Sequence, residues 1–384
     1  MSVVIERRPL WQRLAPVFSG FDAPLLLGLL VLGALGLVTM YSAGHDHGSR
    51  FVDHGRNMLL ALAILFLVAQ VPPQRLMRIA VPLYTVGVAL LVATAVFGVT
   101  KKGATRWLNV GIVIQPSELM KLAMPLMLAW WFQKREGQLR TLDFAVAGAL
   151  LLVPVGLVVK QPDLGTAILI LSSGLYVIYF AGLSWKLILP VIAAGAIGVG
   201  ALVFSADRIC QDDVKWPLLR DYQKHRVCTL LDPTTDPLGK GFHIIQGMIA
   251  IGSGGPTGKG FMKGTQTHLE FIPERTTDFI FAAYAEEFGL LGTLSLVACF
   301  TFVLARGLMI AAEAPTVFTR LLGGALTLSV FTYAMVNMGM VSGILPVVGI
   351  PLPFISYGGT AMVTLGLALG MLMSIAKSRR LMQS

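Results

Sequence analysis

Residues 321–376 read LLGGALTLSVFTYAMVNMGMVSGILPVVGIPLPFISYGGTAMVTLGLALGMLMSIA, without one charged side chain. As a single helix this run would be about 84 Å long at 1.5 Å per residue, against roughly 30 Å of hydrocarbon in a bilayer. Pro346, Pro351 and Pro353 interrupt it, because proline lacks the N–H a helix needs and clashes with the preceding turn. The run reads as two membrane spans joined by a Pro-rich loop. Uncharged stretches of spanning length recur at 24–42, 57–73, 79–99, 144–159, 164–185, 187–206 and 288–305. Residues 116–133 add another span if Glu118 and Lys121 are admitted inside it. The expectation is an all-α polytopic membrane protein of ten transmembrane helices, with both termini on one side of the membrane.

Composition agrees. Of 384 residues, 55% are hydrophobic and 13% charged, where a soluble domain carries roughly 25% charged residues. The net charge of +10 is scattered between apolar blocks and forms no dense basic stripe, which argues against nucleic acid and for an anionic lipid or a phosphate-bearing substrate. The first apolar block follows a long segment containing Arg7, Arg8 and Arg13 and is read as a retained span rather than a cleaved signal. With the amino terminus inside, fourteen lysines and arginines from Arg7 to Arg380 fall in cytoplasmic segments, against Arg50, Arg56, Lys101, Lys102, Arg106 and Lys160 in the short outer loops. That bias places both termini in the cytoplasm. One large extracytoplasmic loop, 207–278, then lies between helices 7 and 8 of a single domain spanning 1–384. It holds Cys210 and Cys228, which form a disulfide or remain two thiols; Cys299, in an apolar segment, reads as packing.

Several polar groups at the outer ends call for an explanation, since charge at membrane depth is costly. Glu118 and Lys121 are three apart and share a helix face; they are an internal ion pair pinning helices, or Lys121 meets a substrate phosphate while Glu118 holds it. Asp163, after Pro162 and before an apolar helix, is a helix cap or a site residue. Trp107 beside Arg106 is an interfacial anchor or part of the same site. In FIPERTTDFIFAAYAEEFG (271–289), Glu286 and Glu287 read as buried structural groups. Glu274, Arg275 and Asp278 stand at the mouth of the span, where Asp278 fits a general base, with a helix cap or an ion-pair partner as the alternative. The glycine-rich GSGGPTGKG (252–260) lacks the spacing of a phosphate loop and reads as a flexible surface turn, with a backbone nest for a diphosphate as the alternative. No His/Cys cluster has metal spacing.

Taken together, GATRWLNVGIVIQPSELMKLA, QPDLGTAILI, DYQKHRVCTLLDPTTDPLGKGFHIIQGMIAIGSGG, GKGFMKGTQTHLEFIPERTTDFIFAAYAEEFG and MVSGILPVVGIPLPFISYGGTA resemble the SEDS family (shape, elongation, division and sporulation) over nearly the whole chain. The Pro-rich loop and the PER before Thr-Asp look more like its rod-shape branch than its division branch. One departure is Thr276, where the family commonly has histidine before Thr-Asp-Phe. The resemblance implies a peptidoglycan glycosyltransferase of the bacterial cytoplasmic (inner) membrane that polymerises lipid II on the outer face, with Asp278 matching the family's essential aspartate. It implies cations for the diphosphate, for which Lys121, Arg106, Arg56 and Arg275 are the candidates, and a substrate-binding set completed by Glu118, Trp107, Asp163, Glu274 and Ser356. It leaves a divalent cation on the diphosphate open. Implied partners are the nascent glycan strand, a class B penicillin-binding protein acting as transpeptidase, and other membrane proteins of the elongation complex. A lipid II flippase or transporter, or a non-catalytic scaffold, are the readings from other classes.

Overall fold

The computed structural model describes residues 20–45, 48–101, 104–109, 111, 113–211, 214, 221–236 and 239–383. Arg7, Arg8 and Arg13, on which the placement of the amino terminus leans, and Lys102 lie outside the described residues, as do parts of the loop 207–278. The apolar runs fold as α1 (Ala23–Ala43), α2 (Arg50–Ala69) and α3 (Pro73–Phe97), followed after a short sheet by α4 (Pro116–Lys134), α5 (Thr141–Lys160), α6 (Leu164–Phe180) and α7 (Trp185–Phe204). The long loop contains α8 (Ala206–Ile209), α9 (Asp221–Leu231), α10 (Lys240–Ser253) and α11 (Thr265–His268). The chain closes with α12 (Ile280–Ala312), α13 (Val317–Val341) and α14 (Gly359–Gln383). Among the described residues eight helices are long and apolar enough to cross a membrane: α1, α2, α3, α5, α7, α12, α13 and α14. Charge-bearing α4 and α6, with 17 residues, lie among them.

Local chemistry sets the boundaries. Prolines occupy the first turns of α1, α3 and α4, where their missing N–H costs nothing. Asp22, Asp163, Ser184 and Thr316 accept from backbone N–H groups at the starts of α1, α6, α7 and α13. The charge-free run divides as expected into α13, a non-helical loop carrying Pro346, Pro351 and Pro353, and α14. Two boundaries differ from the hydropathy reading. α2 begins at Arg50, so Arg50, Asp53 and Arg56 ride on its first turns. α12 begins at Ile280 and takes Glu286 and Glu287 inside it.

The fold is not wholly α-helical. Val99–Lys101, Ala104–Asn109 and Val113–Ile114 form an antiparallel meander β1-β2-β3. Hydropathy placed this stretch in a polar loop, but its valines, threonines and isoleucine favour extended backbone. Asn109 Oδ1 accepts from Gly111 N at 3.2 Å in the turn that follows β2, where Gly111 has φ +89°. Cys210 and Cys228 are bonded across the loop, with Cα atoms 5.6 Å apart.

α13 and α14 form the centre, with 67% and 72% of their spanning windows buried, whereas α7 has no buried residue and stands apart. α14 lies tightly on α2: a methyl group at Gly366 would fall 2.6 Å from Ala61 O, and one at Gly370 2.8 Å from Val68 Cβ. Small residues permit this approach where burial against lipid gives no driving force of its own. At the opposite end from the Pro-rich loop, Arg306 donates to both carboxylate oxygens of Asp22 (2.9 and 2.6 Å) and ties α12 to the start of α1.

α12 is broken at Gly289, with φ 65° and ψ −159°. The break frees backbone groups that have no water to bond at membrane depth. The glycine-rich loop 252–260 takes them up. Lys259 N and Gly260 N donate to Glu286 O and Glu287 O at 3.0 Å each, while Leu290 N and Leu291 N donate to Gly255 O (2.9 Å) and Pro256 O (3.0 Å). The loop is therefore docked on the break, neither a free surface turn nor a nest with its N–H groups available. Glu286, fully buried, accepts from Lys259 Nζ (2.7 Å), Gln266 N (2.8 Å) and Thr267 N (3.0 Å). Glu287 accepts from Ser42 Oγ and lies 3.3 Å from His268 Nε2. A methyl group at Gly289 would meet Gly258 N at 2.2 Å. Gly289→Ala is expected to lower stability by about 2 kcal/mol or more. Gly195→Ala on α7, where a new methyl has no neighbour within 4 Å, should leave it unchanged or raise it by up to about 1 kcal/mol. Thermal unfolding of both purified variants beside the parent checks this.

Candidate active site

Asp278 is half-buried in the turns that lead into α12. Three consecutive carbonyls of this segment are held from the other side of the Pro-rich loop. Thr276 O accepts from Tyr357 N (2.8 Å), Thr277 O from Ser356 Oγ (2.6 Å) and Asp278 O from Asn337 Nδ2 (2.9 Å). Ser356 is buried, and its hydroxyl also accepts from Leu352 N at 2.7 Å, so it joins the two loops. Gly349, with φ +73°, faces Asp278: a methyl group there would sit 3.4 Å from Oδ2.

Beside this junction lies a cleft of about 300 Å³ whose lining includes Arg50, Glu270, Glu274, Arg275 and Thr276. Glu274 is exposed, with φ +54°, and its carboxylate accepts from Thr277 Oγ1 at 2.8 Å. Arg275 is buried, donating from Nε to Ala43 O at 3.0 Å and from its terminal nitrogens to Thr267 O and Glu270. It stitches the end of α1 to α11. Arg50 donates to Thr276 Oγ1 and lies 5.7 Å from the centre of the Tyr357 ring. Arg56 is exposed and pairs with Asp53 at 3.2 Å.

A second polar group starts at the head of α6. Asp163 caps that helix through Thr166 N (3.2 Å), accepts from Gln115 Nε2 (2.9 Å) and lies 3.7 Å from Arg106. Arg106 also donates to Pro162 O and keeps a buried Nε without a hydrogen-bond partner among the described residues. Trp107 follows on β2, paired in register with Val99. Deeper, Lys121 Nζ sits 2.6 Å from Glu118 and 5.2 Å from the centre of the Tyr333 ring, while Thr364 Oγ1 donates to the other Glu118 oxygen at 3.1 Å. The pair links α4 to α13 and α14. Arg106 and Asp163 thus meet at the head of α6, while Glu118 and Lys121 pair deeper, beside Tyr333. The start of α6 packs on the Pro-rich loop: a methyl at Gly165 would fall 2.8 Å from Val348 O, next to the Gly349 that faces Asp278. Among the described residues no group of three or more His, Cys, Asp or Glu side chains could hold a metal ion.

Sequence reasoning did not single out Arg50 or Asn337 for the site. Arg50 was visible only as a loop charge, and α2 had to begin earlier than its apolar run for the arginine to face Thr276. Asn337 did carry a signal, a polar amide inside the charge-free run 321–376.

Fold and site together define a polytopic membrane protein that gathers a half-buried aspartate and several arginines around a Pro-rich loop at one end of a helical bundle. The chain belongs to the FtsW/RodA/SpoVE (SEDS) family of cell cycle proteins, whose pattern matches residues 17–381. It is 46% identical over 359 residues to the peptidoglycan glycosyltransferase MrdB of Escherichia coli strain K12, covering 93% of each chain. A chain from a solved peptidoglycan synthase complex, described as coordinating polymerization and crosslinking, superposes with a TM-score of 0.77 at 33% identity, covering 94% of this chain and 98% of that one. The rod shape determining protein RodA of Thermus thermophilus superposes with a TM-score of 0.67 at 28% identity, covering 94% of this chain and 97% of that one.

Removing one partner of the Glu118–Lys121 pair leaves the other charge buried alone. Glu118→Ala is expected to cost about 3 kcal/mol of stability, and the double change Glu118→Ala with Lys121→Met to recover a large part of that loss. A double-mutant cycle on unfolding midpoints measures both.

Proposed function

We propose that the chain is a peptidoglycan glycosyltransferase of the rod-shape type, polymerising lipid II into β(1→4) glycan strands during cell elongation. The observation that carries this reading is the half-buried Asp278 whose backbone is fixed on three successive carbonyls and whose carboxylate faces a side-chain-free Gly349. Family membership and 46% identity to MrdB support the activity.

In this reading α4 and α6 join the eight long apolar helices as spans, giving ten, both termini are cytoplasmic, and the loops around Asp278 face outward. The positive-charge bias of the short loops supports that orientation. The membrane is the bacterial inner membrane. A class B penicillin-binding protein is the transpeptidase partner, a proposal supported by the related chain solved in a synthase complex.

The donor sugar carries an α-linked diphosphate, and forming a β(1→4) bond in its place needs one inverting displacement. Asp278 takes the proton of the acceptor 4-hydroxyl as that oxygen attacks the anomeric carbon, and the lipid diphosphate departs with the bonding electrons. One carboxylate suffices, because the leaving group needs no protonation by a second acid, as a glycoside would. Cations stabilise the charge gathering on the diphosphate. Arg106 is partly exposed beside Asp163, Arg56 is exposed, and Lys121 with Glu118 lies further inside the bundle. Arg275 contributes by holding the loop that bears Asp278 and Glu274. Trp107 and Ser356 shape the two sides of the site.

Asp278→Asn should insert and fold as the parent does but yield no glycan strands from purified lipid II. Strands of parental length and rate from that variant would remove Asp278 from the mechanism.

A further inference from the structure

Asn337 is fully buried on α13, inside the run that carries no charge. A side-chain amide has two N–H hydrogens, and both are used here. Nδ2 donates to Asp278 O at 2.9 Å and to Ile350 O at 2.7 Å. The first acceptor belongs to the residue that carries the carboxylate. The second lies one residue beyond Gly349, the residue that faces Asp278 Oδ2. One amide therefore sets the distance between the carboxylate and the backbone opposite it.

The other end of the amide argues against a purely structural role. Asn337 Oδ1 is buried and has no hydrogen-bond partner among the described residues. An unsatisfied buried acceptor weakens the fold, and an apolar side chain of the same volume would avoid that cost. No other common side chain of this size makes the same connection: serine and threonine have one hydrogen to give, and aspartate would turn acceptors toward two carbonyl oxygens.

We propose that Asn337 is a positioning residue for Asp278, clamping the aspartate-bearing segment and the Pro-rich loop at the spacing that aims the carboxylate at the acceptor hydroxyl. The inference rests on the reading of Asp278 as the base. It acts through geometry, and a displacement of the reacting groups by about 1 Å can cost about 100-fold in rate.

The test is lipid II polymerisation by the full-length purified chain, with kcat, KM and the pH profile of kcat measured for Asn337→Ala, Asn337→Asp and Asn337→Gln. Expected are kcat values about 10- to 100-fold lower for the alanine and aspartate variants, KM within about twofold, an altered pH profile, and partial rescue by glutamine, which restores the donors. In the Asp278→Asn background, Asn337→Ala should reduce any residual rate no further. A folded Asn337→Ala chain with parental kcat and pH profile overturns the proposal, as does a loss confined to KM or to thermal stability that glutamine does not relieve. If the alanine variant does not fold, Asn337→Thr, which cannot donate to both carbonyls, is judged by the same outcomes. Asp278→Asn separates the two failures. Parental activity in that variant defeats the reading of the base itself, whereas an inactive Asp278→Asn beside a fully active Asn337→Ala defeats only the role of the asparagine.

Discussion

Wherever a helix stops inside an apolar bundle, the backbone groups it releases must find partners within the protein, because no water is there to take them. This constraint organises the molecule. The break at Gly289 is matched by residues 255–260, whose backbone meets both sides of it. The break between α13 and α14 is matched by Ser356, Tyr357 and Asn337, which take the carbonyls of 276–278 and the backbone of the Pro-rich loop. The two repairs lie at either end of the short helical piece 280–288. Asp278 is fixed at one end of that piece, and Glu286 and Glu287 lock the other.

Charge follows the same economy. Glu286 is surrounded by one ammonium and several N–H and hydroxyl donors, so its burial is compensated atom by atom. Lys121 and Glu118 compensate each other in the interior. Such pairs add little net stability compared with packed apolar side chains. Their retention between α4, α13 and α14 fits a role in holding three helices in one register below the site. Arg56, exposed and paired with Asp53 on its own helix, belongs to a different regime, in which solvent screens the pair.

The eight long apolar helices were legible in the sequence because hydropathy and the absence of water in the bilayer act on every residue alike. The Glu118–Lys121 pair was legible because a separation of three residues places both on one helix face. Asp278 was singled out by its position at a span mouth and by resemblance to a family. The β-meander was not read, since the five β-branched residues of its three short strands leave no long periodic signal. The docking of GSGGPTGKG on Gly289 joins segments about thirty residues apart mainly through backbone hydrogen bonds, and backbone atoms have no spelling in the sequence. Arg275 shows the same limit from the other side. Its charge suggested a ligand; in the fold it donates to the carbonyls of Ala43 and Thr267 and to Glu270, groups that no sequence pattern brings together.

A displacement with a good leaving group needs little acid–base chemistry and much alignment. In the proposed mechanism the base must meet the acceptor hydroxyl proton while that oxygen lies in line with the departing diphosphate, and productive geometry tolerates deviations of only about 0.5 Å. A carboxylate on a mobile loop would not hold that line. Here the segment before α12 is irregular backbone, yet its carbonyls at 276, 277 and 278 are anchored one after another by three different groups. The Pro-rich loop supplies two of those anchors and, through Gly349, the surface opposite the carboxylate. The prolines that divide the charge-free run into two helices therefore also build the rigid wall against which Asp278 is set. Fold and site depend on the same interruption of the helix.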